Sequence, residues 1–206
     1  MRKLSFEYNF TSSLKDKIMK TKILGLAILL TTLTSCVSFD RKLIKDDLTK
    51  ISENNWKSIE GKYEFKGYDN SSSLISKPSE SIGIARMLDL KNQGLEDCDL
   101  LEIKSKKLEP KLYELELTLF KNDSVKHSYK LNATLKNGIL TLKNRTTKCT
   151  GIPYFLGGCE VSQSRIGLTA DNNLVIHSYN DNNGSFLFLM WAGRTINYAE
   201  KFKRIQ

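Results

Sequence analysis

The chain is poor in the residues that most chemistry needs. It has only two histidines, His127 and His177, fifty positions apart and each inside a segment with strand character. No cysteine or second histidine stands near either at metal-ligand spacing. No Gly-x-Ser-x-Gly elbow is present to support a hydrolase triad. Gly157-Gly158 belongs to neither a Walker pattern nor a dinucleotide fingerprint. No apolar run reaches the ~20 residues that cross a bilayer as a helix. Charges of both signs are interspersed, so the formal +9 is no footprint for nucleic acid. These absences leave no cofactor and no enzymatic constellation to expect. A hydrolase is the least favoured of the functional readings.

What is there begins with Met19 to Cys36, MKTKILGLAILLTTLTSC. Lys20 and Lys22 form a positive start. Ile23 to Leu33 is then apolar or small except for the hydroxyls of Thr31 and Thr32. Eleven residues suit a signal-peptide core of roughly 7–15. Leu33-Thr34-Ser35-Cys36 follows, and it resembles the lipobox of bacterial lipoproteins. The resemblance implies that Cys36 is diacylglycerylated, becomes the mature N-terminus and is acylated on its amine. Two or three acyl chains give a stable anchor where one gives a marginal one. It implies an envelope protein with the membrane as its partner through Cys36. Outer membrane facing the periplasm is the first expectation, because Val37 rather than Asp follows the cysteine; surface display is the alternative. Translation is expected to start at Met19. Removing residues 1–35, with six basic and two acidic side chains, leaves 26 basic and 21 acidic, or +5.

Three stretches follow: 1–35 as extension and signal, 36–55 as tether and N-terminal helix, and 56–206 as a β domain. Asp40 is positioned to cap a helix over about 41–53, with Leu43, Ile44, Leu48 and Ile51 on one face. That helix is expected to cover one end of the domain, or else to bind a partner. Gly61-Lys62-Tyr63-Glu64-Phe65 alternates as a first strand. Residues 68–81 read as a loop, and Ser79 as the cap of a short helix carrying Ile84, Met87 and Leu88. Strand then follows strand. Tyr113, Leu115, Leu117 and Leu119 alternate with Glu114, Glu116 and Thr118 as one dry and one wet face. Val125, His127, Tyr129, Leu131 and Ala133 form the next dry face. Asn137-Gly138 predicts a type I′ hairpin, which requires positive φ at both positions. Strands over Val161–Leu168, Leu174–Tyr179, Phe186–Trp191 and Ile196–Ile205 complete the pattern. Asn180–Gly184 and Ala192-Gly193-Arg194 read as turns between them.

About nine strands joined by short turns predict an all-β, antiparallel up-and-down meander with an N-terminal helix and one short extra helix. So long a meander is expected to close into a barrel, with a two-sheet sandwich as the alternative. A helix, then Gly-x-aromatic at the first strand (Gly61-Lys62-Tyr63), then a basic residue on the last strand (Arg204) is similar to the lipocalins and related calycins. Tyr63 stands where that family has Trp. The resemblance covers most of 56–206 and implies a lipocalin-like barrel, with room for a small apolar ligand.

With Cys36 taken by lipid, Cys98, Cys149 and Cys159 remain. Cys149 and Cys159 flank the apolar loop 150–158, and a disulfide between them would staple it. Pairing with Cys98, or no bridge, stays open. Cys98 between Asp97 and Asp99 is a poor nucleophile, since those charges oppose its thiolate. Phe186, Phe188 and Trp191 are candidates to line a cavity, to fill the core or to meet a partner. The oxygen-rich segments Asp171–Asn173 and Asn180–Asn183 read as turns, not calcium loops. The expected function is a lipid-anchored binding module for a small apolar ligand or another envelope protein. The alternative is a structural or inhibitor-like envelope lipoprotein with a filled core.

Overall fold

Alternation of apolar and polar side chains dominates the chain from Leu100 onward, and the computed structural model turns nearly all of it into one antiparallel sheet. The structure describes residues 39–44, 47–73, 80–91, 94–152, 156–187 and 190–205, all within the compact unit Ser38–Gln206. Cys36 and the segment expected to be an export signal lie outside the described residues, as do Ser79, Phe188 and Leu189. Eleven strands are present among the described residues: β1 Leu48–Thr49, β2 Gly61–Glu64, β3 Asp69–Ser72, β4 Leu100–Glu109, β5 Leu112–Lys121, β6 Ser124–Lys136, β7 Ile139–Leu142, β8 Thr146–Ile152, β9 Leu156–Thr169, β10 Leu174–Phe186 and β11 Met190–Phe202. A one-turn helix, α1, spans Ile84–Met87.

The order along the sheet is β2-β4-β5-β6-β7-β9-β10-β11-β3, with β1 and β8 also paired to β9. Short turns make sequence neighbours into sheet neighbours. Two of them are two-residue loops of the expected kind. Asn137 and Gly138 have φ of 55° and 81°, and Asn122 and Asp123 have 48° and 60°. The main core draws on β2, β4 to β7 and β9 to β11, from Tyr63 through Leu117 and Leu142 to Phe202. One cluster fed by so many strands requires the sheet to curl round it. The ladders do not close that curl: the terminal strands β2 and β3 are not paired to each other. The chain after β11 does touch β2, through a single bridge between Tyr63 and Arg204. Glu64 N donates to Lys203 O at 2.9 Å and Ile205 N to Lys62 O at 2.8 Å.

Several expected elements differ. No α-helix covers 41–53: a 3₁₀ turn at Arg41–Leu43 and the short β1 stand there among the described residues. The apolar residues of that stretch are buried all the same. Ile44 joins Ile139, Val175 and Ala199 on the outer face of the sheet, with Leu43 and Leu48 packed against them. The backbone prefers sheet partners to helical ones here. Ala170 N bonds Asp47 O at 3.2 Å and Ile51 N bonds Gly138 O at 3.0 Å. Asp40 does cap a turn, its Oδ1 accepting from Lys42 N at 2.9 Å. Within the expected loop 68–81, residues 69–72 form β3 on the edge of β11.

The largest correction lies in the last third of the chain. β10 runs unbroken through Asn180–Gly184, because both neighbours continue to pair with it. The expected strand Phe186–Trp191 is instead a hairpin tip, with Phe186 opposite Met190. The expected turn 192–194 is strand. The segment around 151–158 is mostly strand as well, in β8 and β9. A bulge where Leu119 and Phe120 meet His127 and Val125 turns Val125 out of the dry face, leaving it 60% exposed.

Candidate functional site

The last strand sets up the site with one charged residue on its dry face. Ile196, Tyr198, Glu200 and Phe202 alternate along β11, and Glu200 is fully buried. Glu200 Oε2 accepts from Ile82 N at 3.1 Å and Gly83 N at 3.0 Å, which fixes the start of α1. Its Oε1 has no hydrogen-bond partner. Burial pushes its carboxyl above the usual carboxylate range, against the lowering effect of Ser81 and those two amides. Gly67 leaves the room for it, since a Cβ there would sit 2.2 Å from Oε1. The other end of α1 is tied to β9. The Ser164 hydroxyl donates to the Met87 carbonyl, and Asn144 Nδ2 donates to Leu88 O at 3.1 Å. Asn144 Oδ1 in turn accepts from Ser164 N at 3.1 Å.

Between α1 and β8–β11 lies a cavity of about 380 Å³. Ile82, Met87, Ile196 and Tyr198 supply its apolar surface. Ser162, Ser164 and Ser178 supply hydroxyls. Three cations, Arg86, Lys148 and Arg194, and two carboxylates, Asp89 and Glu160, ring it. Glu160 accepts from Asn180 Nδ2 at 2.7 Å, and three cations against two carboxylates leave the ring net positive. The size is within the range of small-molecule sites, and the lining is more polar than most of them. Phe186 takes no part in it. That side chain is 49% exposed at the hairpin tip, so the expected aromatic lining is not formed by this residue.

The other residues singled out from the sequence fall in separate places. Cys149 and Cys159 are disulfide-bonded across β8 and β9. Cys98 is a free, buried cysteine, and burial followed by Asp99 and Asp97 pushes its thiol up. His127 is half-buried on β6 beside Tyr129. His177 is fully buried on β10 under the N-terminal segment. Its Nδ1 accepts from Arg165 Nε at 3.1 Å and lies 2.8 Å from Arg165 Nη2; its Nε2 lies 3.2 Å from Asn197 Oδ1. Phe39 caps this group, with the Arg165 guanidinium 4.4 Å from the centre of its ring. Burial, then the Arg165 charge, pushes His177 down to about 3. The imidazole is therefore neutral, with one nitrogen engaged by Arg165 and the other by Asn197, whose Oδ1 also accepts from Asp40 N at 2.9 Å. No group of three or more His, Cys, Asp or Glu able to hold a metal ion occurs among the described residues.

At the seam of the curl, Arg204 Nη2 donates to Tyr63 Oη at 2.6 Å and also to the Ser58 carbonyl; Nε donates to Asn172 O at 3.0 Å. The guanidinium lies 5.1 Å from the Tyr63 ring centre. Tyr63 is fully buried, and burial raises its hydroxyl to about 12 despite Arg204.

Compared with protein-family models and with curated proteins, the chain matches none.

Sequence reasoning missed Arg86, Lys148, Arg194 and Glu200. Only Glu200 carried a readable signal, as an acid in phase with Tyr198 and Phe202. The rest depend on which strands become neighbours.

Proposed function

We propose that this chain is a lipid-anchored, non-enzymatic binding module of the bacterial cell envelope, held by acyl chains on Cys36. The best-supported location is the outer membrane, facing the periplasm. The domain is a lipocalin-like barrel in this reading. The Arg204–Tyr63 contact and the bridge beside it support it, because a basic residue just after β11 packs on the Gly-x-aromatic of β2.

The single observation that carries a binding role is the cavity of about 380 Å³, with its floor clamped by Glu200 and Ser164. Its lining changes the ligand class from purely apolar to amphiphilic. Ile82, Met87 and Ile196 suit a short apolar body, and Arg86, Lys148 and Arg194 suit an anionic end. A filled-core structural lipoprotein is the second reading, favoured by the dense packing of Leu101, Leu117, Leu142 and Phe202 elsewhere inside the sheet.

Titration with a fluorescent medium-chain fatty acid tests the module. Saturable binding that Arg194→Ala and Arg86→Ala weaken supports it; no binding by the folded protein favours the filled-core reading. Mass spectrometry of the mature N-terminus tests the anchor, with a thioether-linked diacylglycerol on Cys36 as the expected result. An unmodified precursor in the cytosol would overturn it.

A further inference from the structure

Beyond the cavity, β8 to β11 continue as a four-stranded ribbon whose cross-strand ranks can be read directly. Among the described residues the outermost rank is Ile152, Leu156, Phe186 and Met190, side by side. Their exposures are 64%, 49%, 49% and 66%, and Leu187 in the turn adds 37%. Behind them come the ranks Gly151-Gly157-Ser185-Trp191, Thr150-Gly158-Gly184-Ala192 and Cys149-Cys159-Asn183-Gly193. None of these sixteen positions is charged. The fifth rank is Lys148, Glu160, Asn182 and Arg194, where charge begins. Four steps of ~3.3 Å put the first charge about 13 Å behind the tip. Lys148 and Arg194 are exposed there, and Arg145 is exposed three residues farther back, just before β8. Glu160 is engaged by Asn180, and Asp181 is buried and bonded to Thr195 and Asn183.

We infer that this ribbon tip inserts into the interfacial layer of an anionic lipid bilayer, with Lys148 and Arg194 at the level of the head groups. An uncharged, aromatic and aliphatic end followed by a basic belt is the pattern of interfacial segments, which bury about 5–10 Å of apolar surface. The depth is self-limiting. Among the described residues the outer edge of β8 is unpaired, and so is that of β11 at the tip; open backbone edges are not tolerated in the hydrocarbon core. The disulfide and the close strand approach at Gly151, where a Cβ would lie 2.1 Å from Leu156 O, hold two of the strands in register. The inference shares Lys148 and Arg194 with the rim of the cavity but needs no ligand in it. It agrees with the lipid-anchor reading and does not need it.

The test uses the full chain with Trp56→Phe, so that Trp191 is the only tryptophan and lies one rank behind the tip. Vesicles of brominated phosphatidylcholine with phosphatidylglycerol are the probe, and brominated phosphatidylcholine alone is the neutral control. Trp191 emission falls about two-fold or more on the anionic vesicles, as expected when this part of the ribbon enters the interface. Phe186→Asp with Met190→Asp abolishes that quenching and weakens vesicle binding about ten-fold or more. Leu187→Asp does so in part, while Val125→Asp, an exposed apolar position on another hairpin, does not. Quenching that persists in Cys36→Ser separates the tip from the anchor. Absent quenching in the wild-type domain, quenching indifferent to the tip aspartates, equal quenching on neutral vesicles, or a tip-dependent self-association in its place each overturns the proposal.

Discussion

Strands β5 and β10 belong to the same antiparallel sheet and put their apolar residues to opposite uses. In β5 every second residue from Tyr113 to Leu119 is buried and those between are half-buried, as the alternation in the sequence requires. In β10 both faces are largely buried from Leu174 to Tyr179, because the core covers one and the segment around Ile44 covers the other. Farther along the same strand both faces lose their cover, and Phe186 at its end lies open. Apolarity therefore signals burial only where another layer exists to do the burying. The packed zone reads as stability and the ribbon tip as interaction.

Substitution at the two ends gives the widest test of this contrast. Leu117→Ala, in the packed zone, is expected to cost about 3–5 kcal/mol of unfolding free energy. Met190→Ala at the tip should stay within about 0.5 kcal/mol. Urea titration of both variants measures the difference, and equal costs would erase the distinction.

Acid comes next. His177 sits in the covered half of β10, held neutral down to about pH 3. An unfolded imidazole gains its proton near its ordinary value of 6.5, so the unfolded state binds the proton first as pH falls. Stability conferred by the neutral ring is thus complete above about pH 6.5 and drains away toward pH 3, a loss on the order of 5 kcal/mol. His177→Gln should flatten the dependence of the urea midpoint between about pH 7 and pH 4, whereas tip substitutions should leave that slope unchanged.

At the boundary between the zones, Cys149→Ser with Cys159→Ser opens a ten-residue loop. Chain-entropy reasoning gives a loss of about 2.5 kcal/mol, read as the gap between oxidised and reduced midpoints of the wild type. The Leu117→Ala cost should be the same in both redox states. A smaller effect, and one of opposite sign, is expected at Leu187, whose φ of 51° is left-handed. Leu187→Gly should stabilise by about 1 kcal/mol, measured by thermal unfolding, while removing one apolar contact from the tip.

How much of this was legible depends on how local the cause was. Asn137-Gly138 could be read as a hairpin because the turn type demands positive φ at two adjacent positions. The β5 alternation could be read because one wet and one dry face leave a period of two. The Cys149–Cys159 pairing was suggested by the apolar loop the two residues flank. The helix over 41–53 could not be corrected from sequence, since Leu43, Ile44 and Leu48 at helical spacing bury equally well in an extended segment laid on a sheet. Asn180–Gly184 carries turn residues, yet β9 and β11 on either side supply its backbone with partners, and it stays strand. The cavity was invisible, because Arg86, Lys148 and Arg194 meet only after α1 is clamped beneath the ribbon.

From sequence alone, then, came the antiparallel all-β character, the tight turn at Asn137-Gly138 and the apolar inventory, all of them set by side-chain period and local backbone preference. Tertiary structure decided which apolar residues are covered, how far each strand runs and where the charges converge. Those outcomes depend on partners far apart in the chain, and no local pattern encodes whether a second layer will arrive.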